Sequence, residues 1–322
     1  MGEPLSGACV LVTGATGFLG SHLTRRLVAL GADVHAVTRE TGPPEHLLDV
    51  HSSARWWTCD LRDSARVTQL VGEARPEVVY HLAGFTAARA GDHEESESWT
   101  TSYSINLMGT LNLLLALRHA GSRVRRIVRT GGLEEYGDGP LPFREDQCER
   151  PVSPYSASQL AATQVSRLLH RSAGLPVVSL RPALAYGPGQ PQTFFIPSLI
   201  ASCLRHEPFE MTAGSQTRDL VFVSDVVDAC IRAATMPDVD GVVINVGSGC
   251  EYRIRDVAEL VVRLAGSRTT LRFGSRPPRR FDLDRLVCDP ELARRLLGWH
   301  ASTSLETGIG QTIDWFTAQR GA

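Results

Sequence analysis

Three glycines at three-residue spacing, Gly14, Gly17 and Gly20 in the run GATGFLG, are suited to holding a pyrophosphate. They leave backbone N–H groups bare at the start of a helix, where amides and helix dipole both favour an anion. With Phe18 and Leu19 between them, they are the predicted phosphate contacts of a dinucleotide. Tyr155 and Gln159 are one helical turn apart and share a face; the phenol can move a proton, whereas the uncharged amide only makes hydrogen bonds. An unperturbed phenol titrates near 10, and bringing it to about 7 takes about 4 kcal/mol of differential stabilisation. A neutral phenol at 155 is therefore a better acid than base. The chain has no lysine with which to change that balance, because all 33 Lys+Arg residues are arginine.

The elements that must position these residues follow from periodicity. Cys9 to Thr13 is an almost wholly apolar run, as in a strand buried on both faces; Leu19, Leu23, Leu27 and Leu30 then recur at helical spacing up to Gly31, and Val34 to Val37 begins another strand. The alternation continues with strands at Glu77 to Leu82, Val124 to Arg129 and Val177 to Leu180. Helices fall at Ile105 to Ala116 and after Ser153-Pro154, the latter carrying Tyr155. This pattern predicts an α/β fold, a Rossmann doubly wound parallel sheet with a smaller C-terminal α/β substrate lobe. Residues 1–182 form the expected NAD(P)-binding domain, with 220–247 returning to it, and 183–322 the lobe. Thr38-Arg39 ends the second strand where an NAD site carries an acid, so NADP(H) is favoured over NAD(H), although Glu40 lies one residue further. Asp60-Leu61 is the expected adenine contact, with a plain helix cap as the alternative for Asp60.

GATGFLG, Asp60-Leu61, YHLAG at 80–84, LEEYG at 133–137, PYSAS at 154–158, RPALAYGPGQ at 181–190 and QTRDLVFVSDVVDA at 216–229 together resemble the extended short-chain dehydrogenase/reductases, in the order and spacing of the NDP-sugar epimerases, 4,6-dehydratases and 4-ketoreductases. The resemblance runs from about residue 8 to LGW at 297–299. It implies that Leu82, Ala83 and Gly84 line the cofactor, that Tyr155 is catalytic, and that Gln159 stands where these enzymes carry lysine, able to bond a nicotinamide ribose but without charge, which suits Tyr155 to the proton donor in a ketone reduction better than to the base in an alcohol oxidation. It also implies that Gly132 stands where they carry Ser or Thr. Glu134 falls where 4,6-dehydratases place the glutamate that removes a proton beside a keto group; a cap or salt bridge beside the cleft is the alternative. Along an extended strand Thr130, Gly132 and Glu134 share one face, so Thr130 could supply the hydroxyl that Gly132 lacks. Leu133 replaces the dehydratase acid, which disfavours loss of water. Arg218 and Arg279 match arginines aimed at a substrate diphosphate, and GDP is weakly preferred over dTDP or UDP as the nucleotide. The implied activity is an NAD(P)-dependent nucleotide-sugar 4-ketoreductase or epimerase in deoxysugar biosynthesis. A non-redox isomerase, cyclase or dinucleotide sensor on the same fold is the alternative.

Composition sets limits. With 322 residues, 43% hydrophobic and a net charge of -2 of mixed sign, the chain reads as globular, without an electrostatic footprint for nucleic acid or membrane. The seven cysteines are scattered, with no CxxC pair, and read as reduced and mostly buried; the ten histidines show no metal-ligand spacing, so no metal is expected. No apolar run approaches the length of a membrane span. A cytoplasmic protein is the expectation, and the resemblance implies a homodimer. Trp56-Trp57 reads as core, and the acidic run from Asp92 to Glu97 as a solvated loop.

Overall fold

Short runs of β-branched and apolar residues, buried on both sides, build a parallel sheet. In the computed structural model, which describes residues 5–40, 45–85, 95–121, 123–278 and 281–320, the strands are β1 (Cys9–Thr13), β2 (Asp33–Thr38), β3 (Ala54–Thr58), β4 (Val78–His81), β5 (Arg126–Thr130) and β6 (Val177–Pro182). Val243–Val246 completes the sheet beside β6, giving the order 243–246, β6, β5, β4, β1, β2, β3 with every pair parallel. The order reverses between β1 and β4, so a crevice opens at the carboxyl ends of these two strands.

Helices cover both faces. Leu23 and Leu27 of α1 (Phe18–Ala29) and Val226 and Ala233 of the helix Val223–Thr235 share one core with Val10, Val12 and Val128. On the other face, α2 (Ser64–Ala74), α3 (95–119) and α4 (Pro154–Ala173) contribute Val67, Leu70, Leu113, Leu117 and Leu169 to a core with Leu11, Val79 and Ile127. The third helix, α3, begins as Glu95–Ser102, passes through a π-helical stretch at Tyr103–Met108 and ends as Gly109–His119. Ser153 caps α4 by accepting the Ser156 N–H, Pro154 opens its first turn, and Gly174 at φ +66° ends it.

The smaller lobe has its own core of Leu199, Ile200, Phe222, Val257, Val261 and Ile309. The chain crosses between the two bodies more than once: Val243–Val246 lies in the main sheet and Val223–Thr235 on the α1 face, whereas Leu220–Phe222 pairs with Leu184–Tyr186 in a separate two-stranded ribbon. Trp56 and Trp57 depart from the core expectation. Both are half-buried, because β3 is an edge strand with only β2 beside it, and the Trp57 indole N–H donates to His35 Nδ1 at 3.1 Å. Of the seven cysteines, all free, Cys148 and Cys250 are exposed. Among the described residues no helix is long and apolar enough to cross a membrane.

Candidate active site

The glycines after β1 are required by close approach. Gly14 has φ +70°, and a Cβ there would lie 2.7 Å from the Ala83 nitrogen in the segment that follows β4. A Cβ on Gly20 would overlap the Gly14 carbonyl oxygen, and one on Gly17 would sit 3.2 Å from it. Gly17 is the N-cap of α1 and makes no side-chain bond, so the first-turn N–H groups are left for an anion. This bare backbone rim, at the point where the sheet order reverses, fits the pyrophosphate of a dinucleotide. At the end of β2, Thr38 is buried and accepts the Glu40 N–H at 3.1 Å, while Arg39 is exposed. Asp60 is held by Arg62 at 2.5 Å, and that guanidinium keeps its carboxyl below the usual range. The cap of α2 is Asp63, which accepts from the amides of Ala65 and Arg66, so Asp60 does not cap a helix. Leu61 is buried and its carbonyl accepts from Asn112 at 2.8 Å.

A polar chain that the sequence did not advertise fixes the segment Leu82–Ala83–Gly84. The Ala83 N–H donates to Thr13 Oγ1 at 3.4 Å; Thr13 Oγ1 and His81 Nδ1 are 2.7 Å apart, His81 Nε2 and Thr110 Oγ1 2.8 Å, and Thr110 donates to the Asn106 carbonyl at 2.5 Å. Because Thr110 spends its proton on that carbonyl, His81 must donate from Nε2 and accept at Nδ1. Burial, with Arg129 nearby, pushes the His81 pKa down to about 3, so the ring is neutral. In the π-helical stretch, which often marks a functional site, Asn106 accepts the Phe85 N–H at 2.7 Å and donates to Ser158 Oγ at 2.9 Å. Ser158 in turn donates to the Tyr155 carbonyl at 2.7 Å. The sequence offered only a histidine inside an apolar strand and an Asn/Thr pair one helical turn apart.

The catalytic candidates meet at the end of β5. This strand stops at Thr130, and Leu133–Tyr136 is a tight 3-10 turn, so Thr130, Gly132 and Glu134 do not share an extended face. Thr130 Oγ1 lies 3.5 Å from the His81 carbonyl. Glu134 instead folds back over Gly132: a Cβ on Gly132 would stand 2.5 Å from Glu134 Oε2 and 3.5 Å from the Tyr155 hydroxyl. The carboxylate thus occupies the space a side chain at 132 would fill. Burial pushes the Glu134 carboxyl up. Burial also pushes the Tyr155 phenol well up, reinforced by Glu134 and Glu135 and opposed by Arg129. Tyr155 is a phenol at neutral pH.

Behind these groups lies a buried ionic cluster, also missed from sequence. Glu135 fills the space above Gly131, where a Cβ would overlap its Oε1. Its Oε2 accepts from Arg181 Nε at 2.9 Å and Thr163 Oγ1 at 2.8 Å. Arg181 also donates to Glu149 at 2.8 Å and lies 4.4 Å over the Tyr136 ring. Arg129, from β5, donates to Thr163 at 2.8 Å and to the Gln159 side-chain oxygen at 2.5 Å. Gln159 is itself uncharged, as its residue type requires, but an arginine reaches it from a neighbouring strand. Alternation in RIVRT reads Arg129 as merely strand-like, and only the tertiary packing brings it to Gln159.

Arg218 is buried, bound to Asp282 and to the Thr217 carbonyl at 2.7 Å, and its charge acts on Glu134. Arg279 lies outside the described residues, as do Asp92, His93 and Glu94 of the acidic run. Away from the crevice, Cys9, Asp33 and His35 come close enough to suggest a metal site. The Trp57 bond to Nδ1 places the imidazole proton on Nε2, 3.6 Å from Asp33, so that nitrogen has no lone pair to offer.

Residues 10–247 match the family described as the NAD dependent epimerase/dehydratase family. The chain is 34% identical over 319 residues to a UDP-glucose 4-epimerase of Mycolicibacterium smegmatis, covering 95% of this chain and 97% of that one. It is 27% identical to a dTDP-L-rhamnose 4-epimerase of Burkholderia thailandensis, covering 98% of this chain and 96% of that one. Among solved structures, the Thermus thermophilus UDP-glucose 4-epimerase in complex with NAD is similar with a TM-score of 0.86 at 30% identity, over 97% of this chain and 99% of that one.

Proposed function

The chain belongs to the NAD dependent epimerase/dehydratase family, and from this premise we propose that it reduces the 4-keto group of a nucleotide-linked deoxysugar, with Tyr155 as the proton donor. The observation that carries this reading is the Gly132 position, where the Glu134 carboxylate and the Tyr155 hydroxyl face one point at 2.5 and 3.5 Å. A bound nicotinamide dinucleotide carries the two-electron change of the reaction. Tyr155, kept protonated by burial and by two carboxylates, gives its proton to the sugar's carbonyl oxygen as that oxygen gains charge. Gly14, Gly17, Gly20 and the segment Leu82–Gly84 hold the pyrophosphate and frame the crevice, and Gln159 offers its amide to the nicotinamide ribose.

Arg218 is the candidate for the substrate diphosphate, exchanging Asp282 for phosphate oxygens. NADP(H) is the preferred cofactor on this reading, because exposed Arg39 directly follows β2, where a 2′-phosphate needs a cation. One observation favours a second reading. The Glu134 carboxylate fills the space over Gly132 beside the Tyr155 hydroxyl, so on this reading it removes the proton beside the keto group and the product is an epimer.

Both readings are tested by one panel. GDP-, UDP- and dTDP-linked 4-keto-6-deoxy sugars, the last two matching the nucleotides of the named relatives, are incubated with NADPH and NADH while reduced nicotinamide is followed by absorbance and sugars by chromatography. Consumption of NADPH faster than NADH, with a reduced sugar formed, is the expected outcome. A changed sugar without cofactor consumption selects the epimerase. Tight cofactor binding with neither change contradicts both.

A further inference from the structure

Arg129 enters the site from β5, beneath the helix that carries Tyr155 and Gln159. Its side chain is 1% exposed. Nη1 donates to Thr163 at 2.8 Å, and Nη2 donates to both oxygens of Gln159, the backbone carbonyl at 3.0 Å and side-chain Oε1 at 2.5 Å. A guanidinium has donors and no acceptor, so the end of the amide that meets it must be Oε1. Nε2 is thereby turned the other way. It lies 3.4 Å from where a Cβ on Gly84 would stand, in the segment that packs against Gly14.

We propose that Arg129 is the positioning residue and the fixed cation of this active site: it pins the Gln159 amide so that both N–H donors face the cofactor crevice, and its charge acts there through that amide. The proposal rests on the reading of the crevice as a dinucleotide site. Glu135 lies 4.0 Å from Arg129 but is bound more closely by Arg181, so it does not cancel the Arg129 charge outright. The opposing pull of Arg129 on the Tyr155 phenol is in keeping with a cation that reaches the acid–base group. The arrangement also explains why glutamine stands at 159. A lysine ammonium there would meet a buried guanidinium at contact distance, and like charges in a poorly solvated site repel strongly.

The test titrates the full chain with NADPH and NADH by tryptophan fluorescence and records thermal midpoints, for wild type, Gln159→Glu, Gln159→Lys and the double variant Gln159→Lys/Arg129→Leu. Gln159→Glu gives Arg129 a carboxylate partner, so it is expected to fold with an unchanged or higher midpoint. Having no N–H donor for the crevice, it should bind the dinucleotide about tenfold more weakly. Gln159→Lys should lower both the midpoint and affinity, and removing Arg129 in the double variant should bring affinity back to within about threefold of wild type, since one cation remains. A purely structural Arg129 predicts the reverse, with the double variant worse than either parent. The proposal is overturned if Gln159→Glu binds as wild type does, if Gln159→Lys alone binds as tightly, or if the double variant binds no better than Gln159→Lys. Should the double variant fail to fold, the Gln159→Glu result decides. A wild-type chain that binds no dinucleotide overturns the reading of the crevice itself, which keeps the two failures distinct.

Discussion

Gly132 and Glu134 are a matched pair, since the carboxylate can stand beside Tyr155 only because residue 132 has no side chain. The cost appears in the Glu134 pKa, which burial raises. A carboxyl whose folded pKa lies above its unfolded value holds its proton more tightly when folded, so the contribution of this group to stability is greatest at low pH and is lost as pH rises from the unfolded value through the folded one. Above the unfolded value the buried carboxyl is thus a burden on the fold. Glu134→Gln is therefore expected to raise the thermal midpoint at pH 7 while slowing turnover at least about tenfold, the trade-off of a strained functional group. An unchanged turnover, measured on the substrate identified by the panel, would show that Glu134 only fills space. At this scale the sequence was informative where residues sit in motifs: Tyr155, Gln159, Glu134 and Gly132 were all visible. Arg129, Glu135, Thr163 and Arg181 were not, because their roles depend on strands and helices far apart in the chain meeting behind the cleft.

The elements place these residues through buried polar chains as much as through apolar packing. His81 ties β4 to β1 through Thr13 and to α3 through Thr110, and its neutrality is enforced by burial. An unfolded histidine titrates near 6.5 and the folded one at about 3, so below 6.5 the unfolded chain takes up a proton that the fold refuses. Stability is then lost as pH falls, by about 1.4 kcal/mol per unit and about 2 kcal/mol between pH 7 and pH 5 from this residue alone. His81→Gln is expected to start less stable but to lose less over that interval, read from urea midpoints at the two pH values. Equal losses would mean that His81 is not the titrating group. The strands and the helix after GATGFLG were legible because parallel strands buried on both faces leave apolar runs. The 3-10 turn at Leu133–Tyr136 was not: LEEY carries no period, and the strand before it invited continuation. Its effect is large, since it folds the Glu134 carboxylate back over Gly132, beside Tyr155.

At the scale of the molecule, the parallel sheet and the smaller lobe meet around the crevice where the strand order reverses between β1 and β4. The glycine rim, the segment after β4 and the α4 helix reach it from the sheet, and Arg218 from the lobe strand Thr217–Arg218. The fold class followed from alternation of strand and helix, whereas the repeated crossing between sheet and lobe is a property of tertiary pairing that no local pattern encodes. What holds the functional reading together is that Tyr155, beside Glu134, gives the proton, while the surrounding residues bind and orient. The most direct check is to compare wild type and Tyr155→Phe for both dinucleotide affinity and turnover of the keto sugar that the panel identifies. The substitution removes one hydroxyl, so affinity should stay within about threefold, while turnover should fall by about a hundredfold or more, the usual size of a general-acid contribution. A Tyr155→Phe protein that binds cofactor and reduces the sugar at the wild-type rate would contradict it.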